Sequence, residues 1–133
     1  MEQPLLVTAA IIFDDEKFLL IKRAREPFKD FWSFPGGCGA FTRVSEPVEA
    51  VKQEVKCDLD CDFYPNFFIY NYENFENKPT VVLYFYGLVE GKIKINRKYV
   101  SECRWFSAKE TREMKLGFDH NKIIKEFLDK FRL

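Results

Sequence analysis

Apolar residues along the chain fall into short runs that polar segments interrupt. Residues 5–13 are apolar and rich in β-branched side chains, residues 14–16 are all acidic, and residues 17–23 are again largely apolar. Two such runs around a short polar break are typical of a β-hairpin. By the same criterion we predict further strands over residues 32–34, 63–72, 80–90, 91–96 and 102–107, with the polar residues 73–79 separating two of them.

One central segment has the periodicity of an amphipathic helix. Pro47 suits the first turn of this helix, with Ser45 or Glu46 as its cap. Its apolar residues recur at spacings of three and four, which predicts one buried stripe. The residues of the stripe are Val48, Val51, Val55 and Leu59.

The C-terminal part of the chain predicts further helical structure. Residues 108–115 are expected to form a helical turn, and Asp119 is expected to cap a last helix. The residues of this helix predicted to face the core are Ile123, Ile124, Phe127, Leu128 and Phe131.

Two acidic residues of the central helix are candidates for chemistry. Glu54 and Asp58 lie one turn apart, about 40° from each other around the helix axis, at the border of the apolar stripe. Two carboxylates in this position predict a divalent-cation site, and the alternative is a solvated charge pair. A glycine turn, Pro35-Gly36-Gly37, precedes the helix, and it favours the first interpretation because glycine tolerates backbone angles that other residues avoid.

Composition limits the functions that are open to the protein. With 133 residues, 47% of them hydrophobic, the chain is expected to form a single domain over residues 1–133. Lys and Arg together number 21, as do Asp and Glu, and this balance argues against a nucleic-acid partner. No apolar run approaches the length of a membrane span and no signal peptide precedes the chain, so we predict a cytoplasmic protein with no membrane partner.

The four cysteines are expected to be free thiols, because the sequence contains no C-x-x-C pair and the chain is large enough to do without disulfides. A zinc site made of Cys57, Cys61 and His120 is a second interpretation. Its signal is weak because these three ligands are scattered and lack a C-x-x-C knuckle.

The stretch over residues 31–61 resembles the Nudix box of the pyrophosphate hydrolases, G-x5-E-x7-R-E-U-x-E-E-x-G-U, where U is apolar. Aligning R-E-U with residues 53–55 places a metal-binding Glu of the box on Glu54 and two more acidic positions on Cys57 and Asp58. The closing glycine then falls on Asp60. Outside the box, residues 19–37 (LLIKRAREPFKDFWSFPGG), 104–107 (RWFS) and 116–124 (LGFDHNKII) resemble the small ADP-ribose pyrophosphatase-like branch of the family.

The box also departs from the family pattern. Its first Glu and its Arg, which the family pairs in a salt bridge, fall on Ser45 and Gln53, so neither leaves an unpaired charge. The P-G-G turn lies two residues early, which makes the loop over residues 38–44 longer than the family's. Cys57 replaces a carboxylate, which lowers the negative charge available to magnesium and favours a softer ion.

The resemblance implies an α/β fold, a Nudix-like α/β/α sandwich with a mixed β-sheet between helices and a cleft over the box helix. It also implies that Glu54 and Asp58 bind a divalent cation, magnesium or manganese, with the carbonyl of Gly37 as a third ligand. Gly36 and Gly37 would line the substrate site. Arg23 and Arg25 lie where a guanidinium could meet a diphosphate, and for Arg25 simple surface solvation is the alternative.

A catalytic base is harder to place. Glu102 matches a Glu that is common in this branch and is our candidate for activating the water or for binding a metal, the alternative being a charged strand end. His120 is expected to be structural.

The resemblance predicts a hydrolase that cleaves the pyrophosphate of a nucleoside diphosphate derivative such as ADP-ribose. The alternative is a Nudix-fold module that binds a nucleotide or has a regulatory role without cutting its ligand. The predicted partner is a small-molecule nucleotide, and a homodimer is expected by analogy with Nudix proteins of this size.

Overall fold

The computed structural model describes residues 3–133, which form seven strands, three α-helices and one short 3₁₀ helix. The strands are β1 (Leu5–Asp14), β2 (Lys17–Arg23), β3 (Trp32–Ser33), β4 (Gly36–Gly37), β5 (Asp62–Phe75), β6 (Lys78–Glu90) and β7 (Val100–Ser107). The helices are α1 (Pro47–Leu59), α2 (Ala108–Arg112) and α3 (His120–Phe131), and the 3₁₀ helix is Gly39–Thr42.

The strands form one mixed sheet, as the resemblance implies. Its main order is β3-β2-β1-β6-β5, with β4 paired to β1 and β7 paired to β2. The predicted hairpin of β1 and β2 is antiparallel, whereas β1 and β6 run parallel over eight residue pairs beginning with Leu5 and Thr80. Strands β5 and β6 form a second hairpin that turns at Glu76 and Asn77, both in the left-handed region. Most of residues 73–79, predicted as a spacer, therefore lie in strands.

Each face of the sheet packs against one of the longer helices, which confirms the predicted α/β/α sandwich. On one face Val51, Val55 and Leu59 of α1 are fully buried against side chains that include Ile12 and Phe63. On the other face α3 packs its apolar side on a larger cluster that includes Ile11, Phe18 and Tyr84; the α3 residues in that cluster are Ile123, Ile124, Phe127 and Leu128.

The prediction for the N-terminal end of the apolar stripe was wrong. Val48 is 36% exposed, and Ala50 is buried in the first turns of α1 instead. The start of the helix is fixed by Glu46, whose carboxylate accepts hydrogen bonds from the backbone N–H groups of Val48 and Glu49. Its end is at Asp60, which adopts the left-handed conformation with φ 56°, so an aspartate occupies the place of the family's glycine.

Residues 91–96, predicted as a strand, form none. This segment instead crosses the C-terminal end of α1, where the backbone N–H groups of Lys94 and Asn96 donate to the carbonyls of Leu59 and Asp58. Residues 91–96 therefore bond to two carbonyls at the end of the helix that have no partner within it, and not to a neighbouring strand. None of the helices in residues 3–133 is long and apolar enough to cross a membrane.

Candidate active site

A cavity of about 480 Å³ lies against α1, the glycine turn, the start of α3 and one end of the sheet. Its volume is within the range of small-molecule sites. Of the residues predicted for the site, the structure brings six together in its lining and leaves out Glu102. The six are Arg23, Arg25, Gly36, Gly37, Glu54 and Asp58.

Glu54 is held in a fixed position at the wall of the cavity. Its side chain is buried, with 9% of its surface exposed, and its Oε1 accepts a hydrogen bond of 2.7 Å from the backbone N–H of Ala40. Ala40 belongs to the short 3₁₀ helix that follows the glycine turn. The loop between the turn and α1 therefore anchors one oxygen of Glu54 and leaves Oε2 for a ligand.

Asp58 lies one helical turn from Glu54 and is also buried, with 5% of its surface exposed. Its Oδ2 accepts a long hydrogen bond of 3.4 Å from the backbone N–H of Gly36. Burial, and then the negative charge of Glu54, raise the pKa of Asp58 to about 7, against smaller opposing effects of Gly36 and Arg23. The negative charges of these two buried carboxylates repel each other, so a bound cation would stabilise the charged form of both.

The glycine turn can be built only from glycine at its first position. Gly36 pairs with Ala9 of β1 and has φ of 154°, and a Cβ atom there would lie 2.2 Å from the carbonyl oxygen of Thr8. At Gly37, a Cβ would lie 3.1 Å from Oε2 of Glu54. The two glycines thus bring the backbone close to β1 and keep the space in front of the carboxylate open.

The carbonyl of Gly37, predicted as a metal ligand, accepts a hydrogen bond of 3.4 Å from the Thr8 hydroxyl. A carbonyl oxygen has two lone pairs, so this contact leaves one for a further partner.

Both predicted arginines reach the cavity and are oriented by other residues. The Nε of Arg23 donates to the carbonyl of Pro27 at 2.7 Å, and its guanidinium lies 5.0 Å from the centre of the Phe118 ring. Burial lowers the pKa of Arg23, while the nearby Asp58 opposes the shift. Arg25 donates from Nε to the carbonyl of Lys98 and lies over the ring of Tyr99.

Cys57, which takes the place of a carboxylate in the box, is exposed and lines the same cavity. Its Sγ accepts a long contact of 3.8 Å from Nδ2 of Asn96. Desolvation and the charges of Asp58 and Glu54 raise the pKa of Cys57, so its sulfur is a protonated thiol rather than a thiolate.

Gln53, at the position of the arginine in the box, makes a hydrogen bond to the preceding loop. Oε1 of Gln53 accepts a hydrogen bond of 3.2 Å from Nε of Arg43, which comes from the long loop and also lines the cavity. Arg43 was not predicted for the site, because its position in a long loop gives no indication of where its side chain lies.

Glu102 lies outside the cavity. It pairs across the sheet with Lys22, and its carboxylate makes an exposed ion pair of 3.4 Å with the ammonium group of that residue. The position of Glu102 corresponds to the charged strand end that was the alternative, because nothing in the contacts of its side chain connects it to Glu54 or Asp58.

His120 is buried in the wall of the cavity. Its Nδ1 accepts a hydrogen bond of 3.1 Å from the backbone N–H of Phe34, and burial lowers the pKa of His120 to about 3. The ring is therefore neutral, and it fixes the strand end before the glycine turn.

The two cysteines of the alternative zinc site lie in different surroundings. Cys61 is buried beneath α1, with its Sγ 3.5 Å from the Leu59 carbonyl, while Cys57 is exposed at the cavity.

The donor set fits a hard divalent cation that shares its coordination with a substrate. Across residues 3–133, no group of three or more His, Cys, Asp and Glu side chains is arranged to hold a metal ion. Magnesium usually binds one or two protein carboxylates and takes its remaining ligands from water and substrate phosphates. Glu54 and Asp58 can supply the two carboxylates, with the carbonyl of Gly37 beside them.

Comparison with known proteins agrees with this architecture. A family profile described as NUDIX domain matches residues 4–127. An ADP-ribose pyrophosphatase from Methanocaldococcus jannaschii is 30% identical over 130 residues, which cover 94% of this chain and 73% of that protein. The chain therefore belongs to the Nudix family.

Two solved structures share the fold at low sequence identity. The NUDIX domain of Shewanella oneidensis NrtR complexed with ADP ribose is 22% identical, with a TM-score of 0.87 over 98% of this chain and 90% of that one. NrtR of the same organism complexed with a 27mer DNA is 23% identical, with a TM-score of 0.78 over 96% of this chain and 62% of that one.

Proposed function

We propose that this protein is a metal-dependent Nudix hydrolase that cleaves the pyrophosphate bond of a nucleoside diphosphate derivative such as ADP-ribose. The observation that carries the proposal is the pair of buried carboxylates, Glu54 and Asp58, at the wall of a cavity that the glycine turn also lines. The relative named as an ADP-ribose pyrophosphatase, and the neighbour complexed with ADP ribose, support the choice of substrate.

Glu54 and Asp58 would hold a magnesium or manganese ion together with the carbonyl of Gly37. When bound, such an ion neutralises charge on the diphosphate and lowers the pKa of the attacking water. The hydrogen bond from Ala40 holds the side chain of Glu54 in place, so its second oxygen is already oriented before the ion and the substrate bind.

The arginines would bind and orient the diphosphate. Arg23 and Arg25 each use Nε in a hydrogen bond to a backbone carbonyl, which leaves the terminal N–H groups of each guanidinium for phosphate oxygens. Water then attacks one phosphorus, the bond from that phosphorus to the bridging oxygen breaks, and the bridging oxygen leaves with the electron pair. The proton of the water passes to a carboxylate of the cavity, either Glu54 or Asp58.

A nucleotide-binding module without turnover is the second candidate. It is favoured by Cys57, because a thiol replaces the carboxylate at the exposed position beside Asp58 and leaves two acidic ligands instead of three. A site with less negative charge would hold magnesium more weakly. Both candidate functions involve the same class of nucleotide, so only a measurement of turnover distinguishes the hydrolase from the binding module.

The test is to incubate the protein with a panel of nucleoside diphosphate derivatives and magnesium or manganese, and to measure released nucleoside monophosphate. We expect release of AMP from ADP-ribose, and no release by the Glu54→Gln variant. No release from any substrate, together with nucleotide-dependent thermal stabilisation, would instead establish the binding module. The proposal also includes a cytoplasmic location and a homodimer, which cell fractionation and sedimentation velocity test.

A further inference from the structure

A third buried carboxylate lines the cavity at a different place from Glu54 and Asp58. Glu73 of β5 has 2% of its surface exposed, and it lies outside the box and outside the other segments that resemble the family. In the sheet, Glu73 pairs with Thr80, which pairs with Leu5 of β1. Leu5 is four residues before Ala9, the partner of Gly36, so Glu73 lies about 13 Å from the glycine turn along the strand direction.

The carboxylate of Glu73 is oriented by two donors on the same oxygen. Its Oε2 accepts hydrogen bonds from the Tyr84 hydroxyl at 2.5 Å and from Nδ2 of Asn71 at 3.0 Å. Asn71 is itself fixed, because it also donates to Asp119 and accepts from Lys122. The network therefore sets the plane of the carboxylate and determines where the second oxygen lies.

That second oxygen is left without a partner. Oε1 of Glu73 is buried and accepts no hydrogen bond from any group in residues 3–133. Burial raises the pKa of Glu73, while the hydrogen bonds from Asn71 and Tyr84 and, more weakly, the nearby backbone N–H of Asp119 oppose the shift; that N–H does not reach hydrogen-bonding geometry with Oε1. An unpaired buried carboxylate oxygen is unfavourable, so a ligand that brings an N–H or O–H donor to it would bind more tightly.

The surroundings of Glu73 indicate which donor it would meet. Phe75 lies two residues farther along the same strand, hence on the same face of the sheet, and it also lines the cavity. The ring of Phe118 lies 5.7 Å from that of Phe75, and Phe34 adds a third aromatic ring to the lining. Arg23 lies over the ring of Phe118 and His120 lies against that of Phe34, so Phe75 is the ring that we assign to the base. An aromatic ring beside one acceptor suits a nucleobase, which packs against the ring and presents an amino group at its edge.

We propose that Glu73 is a specificity-determining residue that binds the exocyclic amino group of the substrate's base. Oε1 accepts one N–H of that group, while the diphosphate lies toward Glu54 and Asp58 at the other end of the cavity. The protein would therefore prefer adenine, with its 6-amino group, over a purine that has only hydrogen at C6. This inference rests on the proposed function, because it places a nucleotide in the cavity.

The experiment compares two substrates and three proteins. The substrates are ADP-ribose and its analogue in which the purine carries hydrogen instead of the amino group at C6. The proteins are the wild type, Glu73→Gln and the control Glu90→Gln, which makes the same change at an exposed residue of β6 outside the cavity. Glutamine keeps an oxygen for Tyr84 and Asn71 but turns an NH₂ group toward the substrate.

We expect the wild type and the control to show a kcat/KM for ADP-ribose at least about tenfold higher than for the analogue. Glu73→Gln should lower kcat/KM for ADP-ribose by about tenfold or more and change that for the analogue by less than about twofold. An equal loss for both substrates would overturn the inference, since it would indicate a structural role or a contact to the ribose, and so would no loss for either.

Binding measurements keep this test separate from the test of hydrolysis. If the wild type cleaves neither substrate, calorimetric dissociation constants for the two compounds give the same comparison. The proposed hydrolysis then fails, while a preference for ADP-ribose that disappears in Glu73→Gln would still support the role of Glu73. Equal affinity of the wild type for both compounds would overturn it. Melting temperatures of all three proteins confirm that each is folded.

Discussion

Replacing Asp58 with asparagine should make the metal-free protein more stable at neutral and alkaline pH. In the folded protein, burial and the charge of Glu54 raise the pKa of Asp58 from 3.8 to about 7. A carboxyl group whose pKa is higher in the folded state stabilises the fold fully below the unfolded pKa and loses that contribution as the pH rises through the folded pKa. The wild type therefore loses stability between about pH 4 and pH 7.

The size of the expected gain in stability follows from how far the pKa of Asp58 is raised. A rise from 3.8 to about 7 corresponds to about 4 kcal/mol between the two protonation states. Glu54 shares the electrostatic cost, so we expect Asp58→Asn to raise the free energy of unfolding by about 2 kcal/mol at pH 8, or about 8 °C in Tm. Asparagine can still accept the hydrogen bond from the backbone N–H of Gly36, so the turn keeps its contact.

The assay is thermal or urea unfolding in a chelating buffer at pH 4, 6 and 8, with Asp60→Asn as the matched control. Asp60 is exposed at the end of the same helix, and asparagine also tolerates its left-handed conformation, so this control should change stability by less than about 0.5 kcal/mol. The advantage of Asp58→Asn should disappear toward pH 4. If the advantage is absent at pH 8, or equal at all three pH values, the raised pKa of Asp58 does not account for the stability of the wild type.

Three further substitutions test the remaining roles. Glu54→Gln should abolish hydrolysis and weaken manganese binding in calorimetry while the fold persists, because glutamine can keep the bond from Ala40; unchanged manganese affinity would remove Glu54 from the site. Cys57→Glu should raise magnesium-dependent turnover about tenfold, which needs about 1.4 kcal/mol, because it adds a carboxylate at an exposed position in the cavity. The neutral Cys57→Gln is its control, and an equal gain in both variants would contradict the role of charge. Glu102→Gln should change kcat by less than about twofold, whereas a fall of a hundredfold would restore Glu102 as the base.

The sequence was sufficient for features that depend on local order along the chain. The hairpin of β1 and β2, the helix after Pro47 and the apolar side of α3 all follow from the periodicity of apolar residues, because the period of side chains on strands and helices is a local property. The position of Glu54 and Asp58 one turn apart follows for the same reason. The match of residues 31–61 to the Nudix box added the sandwich architecture and the family, which the profile over residues 4–127 confirms.

The tertiary structure alone decided the surroundings of each candidate residue. Ala40 donates to Glu54 across 14 residues of sequence, and the backbone of Gly36 donates to Asp58 across 22. Such contacts arise from how the loop folds back on α1, and no local pattern encodes them. They determine which oxygens of the two carboxylates are free and how far burial raises the pKa of Asp58.

Glu102 and Glu73 also show the difference between what the sequence predicts and what tertiary contacts determine. Similarity to the family made Glu102 a candidate, but the pairing of β7 with β2 places it beside Lys22 at the surface. Glu73 belongs to a polar stretch that predicted a spacer, yet the pairing of β5 with β6 buries it in the cavity against Tyr84. Which carboxylate is solvated and which lines the site depends on strand register, and register is set by contacts between segments that are far apart in the sequence.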